Sequence, residues 1–390
     1  MNFDEIIDRR GTHSAKWDMM ESLYGVSPDE GISMWVADMD FRPPACVTAE
    51  LQAMIDHGVF GYFGDDKAYK ESIDWWMRTR HGWTVDPDWI FTAHGLVNGT
   101  ALCVHTWSRP GEGVVLFTPV YHAFAKIIKA AGRTVTECPL ALVDGRYEMD
   151  FEDAARRLTG NEKLVVISSP HNPGGRCWTE GELRALGEFC KAHDLILVSD
   201  EIHCDLLFPG QTHVPAIKAL PDMLDRLVMM TAPTKTFNIA GAHNGNVIIP
   251  DATLRAAFGA TMLGLGISPS SFGLRMETAA YSPEGAAWVD ALMAYLDGNR
   301  RIFDTGVNAI PGVKSMDLES TYLAWVDFSG TGMEPDEVIR RIQAEAKIAV
   351  NHGATFGLGG DSYMRFNLAT PRVRIEEAVK RLQEAFADLQ

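Results

Sequence analysis

The sequence has 390 residues, of which 46% are hydrophobic and 22% are charged. This balance is typical of a globular protein with a sizeable core, organised as two domains or as one large α/β unit with a smaller one. The formal net charge of −17 and the lack of a basic run argue against a nucleic-acid partner. No window of about eighteen apolar residues occurs, which argues against a membrane span.

The N-terminus and the cysteines indicate a cytoplasmic protein. The first ten residues, M-N-F-D-E-I-I-D-R-R, are charged from the fourth position and do not form a signal peptide. The six cysteines are scattered and form no C-x-x-C pair, which argues against a disulfide framework and against a structural zinc site. We therefore expect free thiols in a reducing compartment and no metal.

Residues 1–45 show no regular pattern and are predicted to form an arm and part of a small domain. They include the motif W-V-A-D-M-D-F at Trp35–Phe41, which two prolines follow. Helices are predicted at Cys46–His57 and at about Lys67–Arg80, separated by the turn G-Y-F-G at Gly61–Gly64.

From about residue 90 short apolar runs alternate with helical segments. Strands are predicted at Ile90–Ala93, Val114–Thr118, 134–140, Leu164–Pro170, Leu195–Asp200, Leu227–Met230 and Asn246–Pro250. The helices between them are predicted to end near Trp107 and to span Ala123–Ala131, Phe151–Leu158 and Glu180–His193. This alternation predicts an α/β domain over residues 46–284, with a mostly parallel sheet that helices cover on both faces.

A smaller α+β domain is predicted over residues 285–390. It begins within a long helix at about Pro283–Asp304, so we expect it to be connected closely to the large domain. Strands follow at Tyr322–Phe328 and Met364–Ala369, with helices at Pro335–Ala346 and Ile375–Leu389.

Polar side chains follow three of the predicted strands in the large domain. Asn172 lies in a turn after one strand, Asp200 ends the next, and Lys235 follows Leu227–Met230 within T-A-P-T-K-T-F-N-I-A-G. Each has a structural alternative: an amide that closes its turn, an acid that caps a helix and a lysine that extends to the surface. Ligands of parallel sheets bind beyond the carboxyl ends of the strands, so we expect the three side chains at one site.

An amine, a buried acid and an amide together suit the chemistry of pyridoxal 5′-phosphate (PLP). Desolvation lowers the pKa of a lysine and makes its amine nucleophilic towards an aldehyde. A buried acid keeps a pyridine nitrogen protonated, so that the ring accepts electrons, and an amide donates to the ring's 3′ oxygen. The segment H-G-L-V-N-G-T offers backbone N–H groups for a phosphate at a predicted helix start. It lacks the Gly-Lys-Ser/Thr ending of a Walker loop.

Five motifs carry a resemblance to a known family: Trp35–Phe41, Ser168–Gly175, Ser199–His203, Lys235–Gly241 and Arg365–Arg372. They resemble those of fold-type I PLP enzymes in the aminotransferase class I/II superfamily and, more narrowly, of the MalY/PatB-type cystathionine β-lyases, or C-S lyases. The resemblance covers nearly the whole chain. It implies an aspartate aminotransferase-like fold with a sheet of seven strands.

The resemblance also implies roles for individual residues. Lys235 would hold the cofactor's aldehyde and act as the base at the substrate Cα, with Asp200 on the pyridine nitrogen and Tyr121 stacked on the ring as the other catalytic residues. Arg365 would clamp the substrate carboxylate. The further implied cofactor contacts are Asn172, His203, Gly95, Leu96, Val97, Thr234, His243 and, from the neighbouring subunit of a homodimer, Tyr62. The further implied substrate contacts are Ala37 and Tyr322.

Some positions depart from the usual pattern of the family. Ala232 and His243 stand where a phosphate-binding serine and arginine are common, so the phosphate would depend more on backbone donors, Thr234 and His243. Asn98 stands where the lyases often have proline, and Asn351–Gly357 lacks the usual proline before its glycine. Tyr121, Tyr62 and His203 each retain a packing role as the alternative.

The implied reaction is a β-elimination from L-cystathionine or a related L-cysteine S-conjugate, which yields a thiol, pyruvate and ammonia. One alternative is an aminotransferase that uses the same cofactor. Another is a PLP-binding regulatory protein without turnover, although the acidic charge and the lack of a preceding helix-turn-helix argue against it. The expected partners are a small amino-acid substrate and a second copy of the chain in a homodimer with shared active sites.

Overall fold

A seven-stranded sheet forms the centre of the computed structural model, which describes residues 1–389. In spatial order its strands are Ile90–Ala93, Gly245–Ile248, Leu227–Thr231, Ile196–Asp200, Glu162–Ser168, Gly113–Thr118 and Thr134–Pro139. Gly245–Ile248 runs antiparallel to both of its neighbours, and the other pairs are parallel. The predicted mostly parallel α/β sheet is therefore confirmed.

Alternate residues of the central strands pack on opposite faces of the sheet, as a period of two requires. Val114 and Leu116 belong to one apolar cluster, and Val115 and Phe117 belong to another. The first cluster includes side chains of the helices Leu96–Trp107, His122–Ala130 and Ala252–Gly264. The second includes side chains of the helices Phe151–Arg157, Glu180–Ala192 and Ala216–Ala219. Burial of both faces explains why the strands are continuous apolar runs.

The C-terminal part of the chain contains a second, four-stranded antiparallel sheet. Its strands, in spatial order, are Lys314–Ser315, Leu323–Asp327, Tyr363–Asn367 and Asn351–His352. The accompanying helices are Pro283–Asn308, Pro335–Arg340, which continues as one π-helical turn at Arg341–Glu345, and Arg372–Ala385. The arm joins this part, because Ile32–Ser33 pairs in parallel with Ile348–Ala349.

The structure adds elements that were not predicted. Residues 1–45 contain short helices at Ala15–Asp18 and Met20–Tyr24, which are too short to produce a clear apolar period in the sequence. A hairpin pairs Ala141–Val143 with Arg146–Glu148. The helices Ala252–Gly264 and Ser271–Ala280 occupy a region without predicted elements. Asp251 caps the first of these through Thr253 and Leu254, each at 2.8 Å, and this acid was the available signal.

The two helices that were predicted before the sheet span Ala45–His57 and Lys67–His81. No helix within residues 1–389 combines the length and the apolar character that crossing a bilayer requires. The apolar core continues across the boundary predicted near residue 285, where the rings of Phe237 and Trp288 lie 6.2 Å apart. Packing of this kind opposes free movement of one part of the chain relative to the other.

Candidate active site

A cavity of about 230 Å³ lies at the carboxyl ends of the central strands. The predicted site residues that line it are Ala37, Gly95, Leu96, Val97, Tyr121, Asn172, Asp200, His203, Thr234, Lys235 and His243. Arg365 and Tyr322 lie behind its wall, where they contact Asn172 and Ala37 respectively. Tyr62 is fully exposed and lies outside the lining of this cavity. The structure thus brings together most of the residues that were selected from the sequence.

Lys235 enters the cavity from a short helix, Pro233–Thr236, that directly follows a central strand. Its Nζ donates a hydrogen bond to the backbone oxygen of Ala37 at 2.6 Å. Burial lowers the pKa of this amine to about 8, although the charge of Asp38 opposes the shift. A larger fraction of the amine is therefore unprotonated near neutral pH than in an exposed lysine, as a nucleophile or base requires.

Residues beneath the cavity hold the helix that carries Lys235. Asp205 accepts a hydrogen bond from the hydroxyl of Thr236 at 2.9 Å. The same carboxylate accepts from Nε1 of Trp76 at 2.9 Å and lies 2.8 Å from Nε2 of His81. Asp205 and the helix Lys67–His81, which carries both Trp76 and His81, therefore fix the residue that follows the lysine.

Asp200 ends a central strand and is the buried acid of the site. The backbone N–H of Ile202 donates to its Oδ1 at 3.1 Å, and within residues 1–389 the carboxyl group has no salt-bridge partner. Burial raises its pKa to about 7 despite the charge of Lys235. A cationic ring nitrogen placed against this carboxyl group would favour its ionised form.

His203 faces the same cavity with a neutral imidazole ring. Burial lowers its pKa to about 3, and the charges of Lys235 and Arg365 add to the effect. Its Nδ1 is buried and has no hydrogen-bond partner among the described residues. Such an atom is costly unless a ligand or a water molecule satisfies it.

The opposite end of the cavity can bind an anion. Gly95 precedes the helix Leu96–Trp107 and has a φ of 82°, a conformation that glycine adopts without strain. The first N–H groups of a helix have no intrahelical acceptor, so those of Leu96 and Val97 are available to a phosphate. Thr234 and His243 also line the cavity.

Arg365 is buried in the strand Tyr363–Asn367. Its Nη1 donates to Oδ1 of Asn172 at 3.0 Å, and its Nη2 donates to Trp35 O at 3.0 Å and to Oδ1 of Asn351 at 2.5 Å. Its Nε is buried without a partner, and within residues 1–389 no carboxylate pairs with it. Burial lowers its pKa to about 10. A buried guanidinium without a counterion indicates a site for an anionic ligand group.

One aromatic residue lies in the wall of the cavity and another lies behind it. Tyr121 lines the cavity immediately before the helix His122–Ala130, and burial raises the pKa of its hydroxyl. Tyr322 is fully buried, and its hydroxyl donates to Ala37 O at 2.9 Å, the same oxygen that Lys235 contacts. Ala37 thus acts through its backbone, which explains why an alanine can serve at this position.

Several residues of the site were not selected from the sequence. Ser168, Ile202 and Ala240 line the cavity, and each lies within or beside a motif that was recognised for another residue. Asn351 and Tyr24 lie behind Arg365. No local pattern marks them, because their relation to Arg365 exists only after the two sheets and the arm have packed together.

The residues present fit PLP. The cavity combines a desolvated amine, a buried acid without an internal counterion, a buried imidazole nitrogen without a partner, and a helix N-terminus. The amine, the acid and the helix N-terminus match an aldehyde, a pyridine nitrogen and a phosphate, respectively. Asn172 accepts from Arg365 through its Oδ1, so its amide NH₂ can donate to a ring oxygen, as predicted. The structure thus places Lys235, Asp200 and Gly95 on one cavity, as their predicted roles require.

Comparisons with known proteins agree with this geometry. Residues 32–382 match the family described as aminotransferase class I and II. The chain is 37% identical over 390 residues to cystathionine β-lyase PatB of Bacillus subtilis (strain 168), with 99% of this chain and 100% of that protein covered.

Solved structures are similar along the whole chain. Cystalysin from Treponema denticola, described as containing a PLP cofactor, superposes with a TM-score of 0.94 at 35% identity, covering 100% of this chain and 99% of that one. A PLP-bound C-S lyase from Staphylococcus hominis has a TM-score of 0.90 at 30% identity, covering 99% and 98% of the two chains. On these grounds, the chain belongs to the aminotransferase class I and II family.

Proposed function

We propose that this protein is a PLP-dependent C-S lyase that cleaves L-cystathionine or a related L-cysteine S-conjugate into a thiol, pyruvate and ammonia. The observation that carries the proposal is the placement of the amine of Lys235 and the acid of Asp200 on one cavity. The relative PatB is named a cystathionine β-lyase, and the Staphylococcus hominis protein is described as a C-S lyase. Both similarities favour elimination as the reaction.

Each residue of the site has a different role in the reaction. When bound, PLP supplies an electron sink for the pair of electrons that the Cα–H bond leaves behind. Arg365 binds the substrate carboxylate and so orients the Cα–H bond. The unprotonated amine of Lys235 takes the Cα proton, and the thiolate then leaves from Cβ. Asp200 would hold the ring nitrogen, while the N–H groups after Gly95 would hold the phosphate.

An aminotransferase would use the same residues, but Lys235 would return its proton to the cofactor and a 2-oxo acid would accept the amino group. The distinguishing measurement is pyruvate release from L-cystathionine by the purified protein without any added 2-oxo acid. Stoichiometric pyruvate and thiol would support the lyase. Amino transfer without thiol release would establish the aminotransferase, and binding of PLP without any turnover would establish a regulatory protein.

The variant Lys235→Ala tests the site itself. We expect it to lose both the visible absorbance band of the lysine-bound cofactor and pyruvate formation, because no other lysine lines the cavity among the described residues. Lys380→Ala, which removes an exposed lysine of the C-terminal helix, is the control and should retain both. A Lys235→Ala protein that kept the band would show that the lysine has been assigned wrongly.

We also propose a homodimer whose two active sites are shared. Exposed apolar side chains occur near the phosphate end of the cavity, including Val59, Phe60 and Phe272. The rings of Phe60 and Phe272 lie 5.6 Å apart, and Nε2 of His94 lies 2.7 Å from Ser268 O. Grouped exposed apolar residues favour a protein interface. In the proposed dimer the exposed Tyr62 would reach the phosphate of the partner's site.

Sedimentation and mixed dimers test the shared sites. Phe60→Glu is expected to convert the dimer into monomers with little activity. The weakly active Tyr62→Ala protein and the inactive Lys235→Ala protein are expected to regain activity when mixed, because one of the two sites in the mixed dimer would then have both residues intact. A fully active monomer would refute this arrangement.

The proposed location is the cytoplasm. All six cysteines are free, as a reducing compartment allows. Because all of them except Cys46 are buried, a mild oxidant should leave the other thiols of the purified protein unreacted.

A further inference from the structure

Among the described residues, every hydrogen bond of the Arg365 guanidinium goes to an uncharged oxygen atom. These oxygens belong to the side chains of Asn172 and Asn351 and to the backbone of Trp35. A carboxylate in any of these places would neutralise the guanidinium before a substrate arrived. Neutral acceptors instead fix its orientation and leave its charge available.

The antiparallel sheet places the side chain of Asn351 beside the guanidinium of Arg365. Asn351 lies in the strand Asn351–His352, directly opposite Arg365 in the antiparallel pairing with Tyr363–Asn367. Its side chain is largely buried, and its Oδ1 accepts from Nη2 of Arg365 at 2.5 Å. The pairing register therefore determines which residue meets the guanidinium.

Arg365, which can only donate, sets which way the amide of Asn351 points, and Tyr24 anchors the other end of that amide. The amide Nδ2 donates to the hydroxyl of Tyr24 at 3.0 Å, so the amide oxygen is turned towards Arg365. The ring of Tyr24 is itself enclosed, with its centroid 5.2 Å from that of Trp35 and 5.6 Å from that of His352. A flipped amide would place its N–H group against the guanidinium, which can only donate, and would lose the hydrogen bond to Arg365.

We propose that Asn351 is a positioning residue that orients Arg365 while keeping its charge unpaired, so that the site selects substrates with an α-carboxylate. This inference rests on the proposed function for the identity of the substrate. The uncharged amide of Asn351 leaves the charge of Arg365 free for the substrate. Aspartate, although nearly isosteric with asparagine, should therefore weaken substrate binding more than alanine does.

The test compares Asn351→Asp with Asn351→Ala in the PLP-loaded protein. The new carboxylate would pair with Arg365, so Asn351→Asp is expected to raise KM for L-cystathionine at least tenfold while kcat stays within about threefold. Asn351→Ala keeps the charge and loses only orientation, so its KM should rise about threefold. Asn161→Asp makes the same change of charge at an exposed asparagine and should leave KM unchanged.

A second measurement does not depend on turnover. The ligand 3-(methylthio)propanoate has the carboxylate and thioether of an S-conjugate but no amino group, so it cannot displace Lys235. Calorimetry should show its affinity falling about tenfold in Asn351→Asp and little in Asn161→Asp, with the visible absorbance band unchanged in both. Tyr24→Phe, which removes the hydroxyl that holds the amide, should weaken its binding about threefold.

The outcomes separate this inference from the proposed function. A folded Asn351→Asp protein with unchanged KM and unchanged affinity for the analogue would overturn the inference, as would an equal loss in Asn351→Ala. If Asn351→Asp does not fold, the Asn351→Ala and Tyr24→Phe proteins decide, and wild-type affinity in both would also overturn it. Absence of pyruvate from the wild-type protein would refute the lyase, while binding of the carboxylate analogue would still test Asn351.

Discussion

Burial shifts the two principal titratable groups of the site in opposite directions. It lowers the pKa of the Lys235 amine to about 8 and raises that of the Asp200 carboxyl group to about 7. Each shift makes the charged form less favourable in the protein alone. An aldehyde would react with the unprotonated amine, and a cationic ring nitrogen would stabilise the ionised carboxylate. Part of the affinity for a ligand with both groups therefore comes from removing the unfavourable effects of burial on these two residues.

At the residue scale we predict the stability of cofactor-free Asp200→Asn. Because the pKa of Asp200 lies above its unfolded value, the folded wild-type chain binds an extra proton between about pH 4 and 7, and its stability falls as the pH rises through that window. Asparagine does not titrate. Urea unfolding should therefore show the variant to be more stable than wild type by about 2 kcal/mol at pH 8, with a smaller difference at pH 5.

The control for this prediction is Asp361→Asn, which changes an exposed acid and should leave the free energy of unfolding unchanged at pH 5 and at pH 8. In the PLP-loaded proteins wild type should be more stable than Asp200→Asn, because asparagine cannot pair with a cationic nitrogen as a carboxylate does. Equal effects of Asp200→Asn at both pH values would contradict the assignment of the raised pKa.

Single elements carry separate parts of the site. The helix Leu96–Trp107 presents its N-terminus, the helix Pro233–Thr236 presents the amine, and the strand Tyr363–Asn367 presents the guanidinium. Gly95 has a positive φ of 82° with an extended ψ of 166°, and this conformation leads into the helix whose first residues, Leu96 and Val97, line the cavity. No other residue type adopts this φ at so little cost.

At the element scale we predict that Gly95→Ala weakens the binding of PLP. Space is not the obstacle, because a Cβ at Gly95 would meet nothing within 4 Å, but its φ of 82° strains alanine by about 1 kcal/mol. Relief of that strain would turn the N–H groups away, so fluorescence titration should show about tenfold weaker binding. Gly332→Ala has a similar φ of 70° and open space, and it should reduce stability without changing affinity for PLP.

The N-terminal arm connects the parts of the molecule. Asp40 is buried among Lys16 at 3.0 Å, Arg9 at 3.0 Å and Arg374 of the C-terminal helix at 3.4 Å. Burial acts to raise the pKa of Asp40, but Lys16 and the other donors outweigh it and hold the value at about 2. This cluster secures the segment whose backbone oxygens, Trp35 O and Ala37 O, contact Arg365 and Lys235.

At the scale of the whole molecule we predict that Asp40→Asn loosens the arm. The buried Lys16 and the half-buried Arg9 and Arg374 would lose their shared anion, so the free energy of unfolding should fall by about 3 kcal/mol at pH 7. The depressed pKa means that the contribution of Asp40 is present above about pH 4 and is lost as the pH falls towards 2. Limited proteolysis should cut the variant within residues 1–40 first.

Asp8→Asn is the matched control, because Asp8 pairs with Arg10 on an exposed surface and such pairs contribute little to stability. It should have wild-type stability and a wild-type cleavage pattern. An Asp40→Asn protein that resisted both urea and protease like the wild type would show that other contacts hold the arm.

Local patterns in the sequence were sufficient to predict the strands of the central sheet and the residues that follow them. The inner strands were recognisable because both faces of the sheet are buried, which favours continuous apolar runs. Asn172, Asp200 and Lys235 were recognisable because they interrupt or follow such runs, and parallel strands bring their carboxyl ends to one edge. The motifs around them carried the resemblance to the family.

Only the tertiary structure decided what surrounds Arg365 and how the arm closes. Asn351 and Tyr24 contact each other across 327 positions of sequence, and Asp40 gathers cations from both ends of the chain. The short arm helices depend on these contacts rather than on their own periodicity. Sequence patterns indicate burial and local hydrogen bonding. The absence of a carboxylate beside Arg365, and the presence of neutral acceptors there, result from packing between segments that are distant in sequence.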